Sequence, residues 1–122
     1  MHVSAHYARV FLRADTSVGN FNEDIPQSAP RNSWGLLTSY RWDGGWETSV
    51  GAWHYDRTKW LSEGDVTRPY TRVDVRLARR WAWQGRQVEA ALVGQNLGDV
   101  YEEFRDINRF SRRVYGSLSF DW

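Results

Sequence analysis

Arg113-Val114-Tyr115-Gly116-Ser117-Leu118-Ser119-Phe120-Asp121-Trp122 is the stretch that decides the fold. In an extended chain successive side chains point to opposite sides. Val114, Gly116, Leu118, Phe120 and Trp122 therefore share one face, and Arg113, Tyr115, Ser117, Ser119 and Asp121 share the other. This is the pattern of a strand whose two faces meet different solvents.

The same dyad recurs upstream. Residues 72–83 set Val73, Val75, Leu77, Trp81 and Trp83 against Arg72, Asp74, Arg76 and Arg80, with Arg79 the one exception. Residues 32–42 set Trp34, Leu36, Tyr40 and Trp42 against Ser33, Gly35, Ser39 and Arg41. Residues 46–57 (Trp46, Val50, Ala52) and 86–96 (Val88, Ala90, Leu92) alternate less cleanly. Residues 3–13 do so until Val10-Phe11-Leu12 interrupts them, which marks a bulge or a bend. No segment carries a helical period, so the pattern predicts an all-β chain of six antiparallel strands running up and down.

The links alternate in length. Asp43-Gly44-Gly45 and Gln84-Gly85 are tight turns, where glycine supplies the positive φ that hairpins require. Residues 14–31, 58–69 and 97–112 are long links rich in proline or charge. Short turns at one end and long loops at the other are the asymmetry of transmembrane barrels. If Trp122 ends on the periplasmic side, both glycine turns fall there and all three long loops face outward. Trp42, Trp46, Trp81 and Trp83 then flank those turns, where an interfacial girdle sits.

Composition fits this reading. The chain has 122 residues, enough for one domain, residues 1–122, and its net charge of +1 draws it toward no polyanion, so no nucleic-acid partner is expected. Eight Trp in so short a chain crowd a dry core, because each indole N–H needs a partner, but suit a membrane interface. Cysteine is absent, which excludes disulfides and thiolate chemistry. No apolar run approaches the ~18 residues of a spanning helix, whereas a barrel strand needs only about 10. Met1-His2-Val3 does not open a secretory signal, and six strands do not close a barrel, since the smallest common ones need about 8. Both point to a fragment whose targeting end, plug and earlier strands lie upstream.

Gln95-Asn96-Leu97-Gly98-Asp99-Val100-Tyr101-Glu102-Glu103-Phe104, followed by Arg112-Arg113-Val114-Tyr115-Gly116, resembles the end of TonB-dependent receptors, in which an Asn-Leu-x-Asp-x-Tyr stretch leads into the penultimate loop. Val114, Leu118, Phe120 and Trp122 resemble the C-terminal signal read by the barrel-assembly machinery, with Trp where many relatives end in Phe. The resemblance implies a C-terminal segment of a transmembrane β-barrel in the cell outer membrane, importing a siderophore-like or other nutrient ligand. Its partners would be outer-membrane lipid, the assembly machinery, the remaining barrel and plug, and TonB through parts this chain lacks.

Trp60, Tyr101, Glu102, Glu103, Arg105 and Arg109 are the candidate ligand-facing residues of the loops. The charged ones equally suit a solvated loop with weak ion pairs. Trp53, Tyr55 and Trp60 near the outer mouth could stack on a sugar or chelate ring, or anchor the interface. Glu102 and Glu103 are adjacent and lack a third orienting group, and His2, His6 and His54 have no metal-ligand spacing. No enzyme activity and no cofactor is expected. The alternative is a soluble aromatic-rich β-sandwich or small barrel that binds carbohydrate.

Overall fold

The computed structural model describes residues 1–13, 25–59, 65–98, 100–103 and 105–121. Their strands are β1 (His2–Arg9), β2 (Asn32–Arg41), β3 (Trp46–Tyr55), β4 (Thr58–Lys59), β5 (Val66–Thr67), β6 (Tyr70–Trp83), β7 (Arg86–Gln95), β8 (Tyr101–Glu103), β9 (Arg105–Phe110) and β10 (Arg113–Asp121). Six form one antiparallel sheet in the order β1-β2-β3-β6-β7-β10. These are the six alternating segments of the sequence, each next to its neighbour in the chain. Beyond the six predicted strands, two of the long links hold small ladders, β4–β5 and β8–β9. The interruption at Val10-Phe11-Leu12 proves to be the end of β1. The Val10 N–H still donates to the Arg31 carbonyl (3.0 Å), but no ladder continues.

Both short turns take the backbone their glycines permit. Gly44 and Gly45 have φ of 75° and 80° in the Asp43–Gly45 turn. Gln84 (φ 50°) and Gly85 (φ 78°) form the second turn with two positive φ values in succession, as the twist of a hairpin favours. The two turns lie at one end of the sheet, and the strand ends that the three long links connect lie at the other.

Register assigns every strand residue to a face. Tyr40, Thr48, Leu77, Leu92 and Gly116 lie in one row, and Val3, Thr38, Val50, Val75, Gly94 and Val114 in the next. Leu36, Val75, Leu118 and Phe120 share this apolar face, but they do not converge on one another in a closed interior. Among the described residues the only buried apolar side chains are Ala78, Val88, Ala91 and Tyr101. Leu92, Leu118 and Val114 stand 56%, 59% and 62% exposed. At ~25 cal/mol per Å² such a surface costs heavily in water unless something apolar covers it.

The apolar face is zoned. Its middle is aliphatic; Tyr40, Trp42, Trp46, Trp81 and Trp83 lie toward the short turns, and Tyr7 and Trp34 toward the long loops, all of them exposed. The Trp42 indole donates to Thr48 Oγ1 (2.9 Å), and the Trp42 ring meets Tyr40 edge-on at 4.4 Å. Val88 is buried because register seats it between Trp81 and Phe120. The exceptional Arg79 lies opposite Trp46 at the same margin, its guanidinium 5.3 Å from the ring centre.

The sheet is slanted and open. Arg9 faces Asn32, one residue above Tyr55, whereas Arg113 faces Gln95, level with Asp74 and four residues below Tyr70, the partner of Tyr55. Across five strand-to-strand steps the long-loop end thus descends by five residues, or about 17 Å over about 24 Å, a slant of about 35°. Among the described residues the outer edges of β1 and β10 are unpaired, so the sheet does not close.

Candidate functional site

The polar face carries two clusters. Nearer the short turns, Glu47 and Glu89 stand among three arginines. Arg41 Nε donates to Glu47 Oε2 (3.0 Å), and Arg76 Nη1 to Glu47 Oε1 (3.4 Å). Arg76 Nη2 and Arg80 Nε each donate to Glu89, the latter at 2.6 Å. The network ties β2, β3, β6 and β7 together. Its floor is small: Ala78 and Ala91 are neighbours across β6 and β7, buried beneath these long side chains.

The second cluster lies at the long-loop end. Tyr55 and Tyr70 are partners on β3 and β6, with rings 5.4 Å apart. Tyr70 stacks on Tyr101 of β8 at 4.2 Å, and Tyr101 stacks on Phe110 of β9 at 5.0 Å. This column of four rings folds the β8–β9 hairpin back over the mouth of the polar face. The Tyr70 hydroxyl donates to Glu103 Oε1 (3.4 Å). Burial raises the Tyr101 phenol above its ordinary pKa, and the Glu103 carboxylate adds to the rise.

Trp53 completes the mouth. Its ring lies over Gly51, where a Cβ would overlap the six-membered ring, so glycine at 51 is what lets the indole lie flat on the sheet. The Arg72 guanidinium sits 5.6 Å from its ring centre and is itself held bidentately by Asp74. Trp53, Tyr55, Tyr70, Arg72, Tyr101 and Glu103 surround a cavity of about 230 Å³. A second hollow of about 350 Å³ shares Tyr55, Tyr70 and Glu103. Flat rings beside one cation and one carboxylate suit a small ligand with a planar or ring-shaped body and polar substituents.

Asn96 explains why the Gln95-Asn96-Leu97 stretch precedes this hairpin. Its φ is 50°, which turns the chain at the end of β7. Its N–H donates to Asp74 Oδ1 (2.9 Å), and its side-chain amide donates to the Phe110 carbonyl (2.7 Å). The Leu97 N–H donates to the Val73 carbonyl (2.8 Å). The motif thus fastens β8–β9 to the sheet. Replacing Tyr101 by Ala removes the middle of the ring column. Amide hydrogen exchange in β8 and β9 is expected to accelerate by about tenfold or more, given ~0.5–1.5 kcal/mol for each ring pair. Unchanged protection in both strands would show that the column does not hold the hairpin.

The sequence-derived candidates separate here. Tyr101 and Glu103 meet Tyr70 at the mouth, while Glu102 turns to Arg109, at 3.2 Å. Arg105 lies opposite Glu103, where the ladder is irregular. Trp53 and Tyr55 belong to the mouth. Val114, Leu118 and Phe120 share the apolar face. Trp60 and Trp122 fall outside the described residues. Sequence reasoning missed Tyr70 and Phe110, whose only signal was aromatic character next to a proline and a charged loop.

Above the apolar face, Asn32 and Asp56 clasp the ends of β2 and β3. The Asn32 N–H (3.0 Å) and side-chain amide (2.6 Å) both donate to Asp56 Oδ2, and the Asp56 N–H donates to the Asn32 carbonyl (3.1 Å). The Asn32 side-chain hydrogen bond, then that from its backbone, holds the Asp56 carboxyl below its ordinary pKa. A depressed pKa means the folded state favours the carboxylate. Its contribution is present above the ordinary carboxylate range and is lost as pH falls through the lowered value. The Asn32 amide is expected to lose exchange protection in that acidic window, and Asp56→Asn to abolish the dependence; an Asn32 amide indifferent to both would refute the clasp.

The chain matches no family model, no curated protein and no solved structure.

Proposed function

We propose that this chain supplies the closing strands and three long loops of an outer-membrane β-barrel transporter of the TonB-dependent receptor type. It would contribute to uptake of a siderophore-like or other small nutrient ligand. The observation that carries this reading is the zoned apolar face: an open aliphatic band with aromatic side chains at both margins and nothing of the described chain packed on it. Acyl chains cover such a band, and indoles sit at the level of the headgroups.

Two further features support the reading. A slant near 35° is the lower end of the 35–45° strand tilt that closing a barrel demands. In lipid an unpaired strand edge is not tolerated, so the free edges of β1 and β10 would be met by further strands of the same wall. The polar face would then line the lumen, with its arginine–glutamate network in water. The mouth built from Trp53, Tyr70, Arg72, Tyr101 and Glu103 would face outward, where ligand arrives. The role is binding and passage rather than catalysis. Val114, Leu118 and Phe120, with Trp122, would serve as the assembly signal.

A second reading, a soluble sheet that binds carbohydrate, draws on the ring-lined mouth but leaves the aliphatic face uncovered. The chain has no cysteine, so single cysteines can report on one face at a time. In lipid vesicles, Leu92→Cys and Leu118→Cys are expected to react with a membrane-impermeant maleimide about tenfold or more slowly than Ser49→Cys and Ser117→Cys, because acyl chains exclude water. Equal rates on the two faces would overturn the membrane reading.

A further inference from the structure

Charge is sorted between the two faces of the six-stranded sheet. Glu47, Asp74 and Glu89 all fall on the polar face, together with Arg41, Arg72, Arg76, Arg80 and Arg113. The apolar face bears three formally charged strand residues among those described, and all are arginines: Arg9, Arg79 and Arg86. None lies in the aliphatic middle. Arg9 lies toward the long loops. Arg79 faces Trp46, and Arg86 faces Trp83, both toward the short turns.

A guanidinium on an apolar face needs a counter-charge. No carboxylate shares this face among the described strand residues, so for Arg79 the anion must come from outside the sheet. The depth of the site is marked by the surrounding rings. Trp46, Trp81 and Trp83 lie at the same margin, and indoles settle at the boundary between acyl chains and headgroups. The guanidinium of Arg79 rests over the Trp46 ring, 5.3 Å from its centre. A guanidinium over a ring still carries N–H donors arranged as a fork that matches a planar, two-pronged acceptor. The acceptor found at that depth in a bilayer is the headgroup phosphate, which guanidinium binds bidentately.

We infer that the short-turn margin of the apolar face binds the phosphate of an anionic phospholipid headgroup, through Arg79 flanked by Trp46. The inference rests on the membrane reading of this face and adds a partner to it. Arg79, which breaks the strand's alternation, is then a headgroup ligand at the depth where a lipid-facing arginine costs least.

Vesicles test it. The full chain is mixed with vesicles of phosphatidylcholine alone, or of phosphatidylcholine with phosphatidylglycerol, both carrying a lipid brominated along its acyl chains. Quenching of indole fluorescence reports contact with the acyl region, and its dependence on lipid concentration gives the partition coefficient. The parent chain is expected to partition more strongly into the anionic vesicles. Arg79→Gln is expected to lose roughly fivefold of that preference. Arg113→Gln, which removes the same charge from the polar face, should leave the preference intact. Bromine quenching with equal partition into both vesicles, or an equal loss on Arg79→Gln and Arg113→Gln, overturns the headgroup site and leaves the lipid-facing assignment standing. Absence of quenching in either vesicle overturns both.

Discussion

Leu92→Arg is expected to destabilise the membrane-inserted chain by about 2–4 kcal/mol, the cost of placing arginine near the bilayer midplane on the outer wall of a barrel. Leu92 lies in the aliphatic middle of the apolar face, between Leu77 and Gly116, and is 56% exposed. Gly116 has no side chain to shelter it. A guanidinium here is too far from either margin to reach headgroups easily, unlike Arg79 beside Trp46. On a solvated surface the same substitution would change stability by no more than about 0.5 kcal/mol, because an exposed leucine loses no packing partner. The two readings therefore differ severalfold at one residue. Urea unfolding of the chain in lipid vesicles, followed by indole fluorescence, checks this. A midpoint equal to that of the parent would exclude acyl chains as the solvent of this face.

The six-stranded sheet was legible because each of its strands is long enough to repeat the dyad, and because Gly44, Gly45 and Gly85 mark the turns between two of the hairpins. The four short strands were not legible, since two to six residues hold too few alternations to distinguish a strand from a loop. Thr58 and Thr67 pair through their hydroxyls at 2.5 Å, a contact that no local pattern announces. The mouth was legible only in pieces. Tyr55, Tyr70, Tyr101 and Phe110 come from four strands, and what joins them is the register of β3 with β6 and the return of the β8–β9 hairpin. Both are properties of pairing across the chain. Tyr70 lay between the link that ends at Pro69 and the alternation that begins at Arg72, whereas β6 starts at Tyr70 itself. Asn96 stood out through its motif, but its work became visible only with Asp74 and Phe110 in place.

Glu89→Ala, on the opposite face of the strand that carries Leu92, is expected to cost about 1–2 kcal/mol. Glu89 accepts from both Arg76 and Arg80. Hydrogen bonds between charged groups contribute roughly 1.5–3 kcal/mol when water is excluded, and the estimate is lowered here because the Arg80 side chain is half exposed. Without Glu89, Arg76 keeps one contact with Glu47 at 3.4 Å, and Arg80 keeps one at 3.8 Å. Three arginines then share one carboxylate, so repulsion across β2, β3 and β6 adds to the lost bonds. A double-mutant cycle with Arg76→Ala should show a coupling of about 1 kcal/mol. In the proposed barrel this network lies on the watered side, so its loss should weaken the sheet equally in lipid vesicles and in detergent micelles. The penalty of Leu92→Arg should instead shrink in micelles, whose apolar layer lets a long side chain escape to water. If both substitutions respond identically to the change of solvent, the two faces do not meet different media, and the wall of a barrel is the wrong description of this sheet.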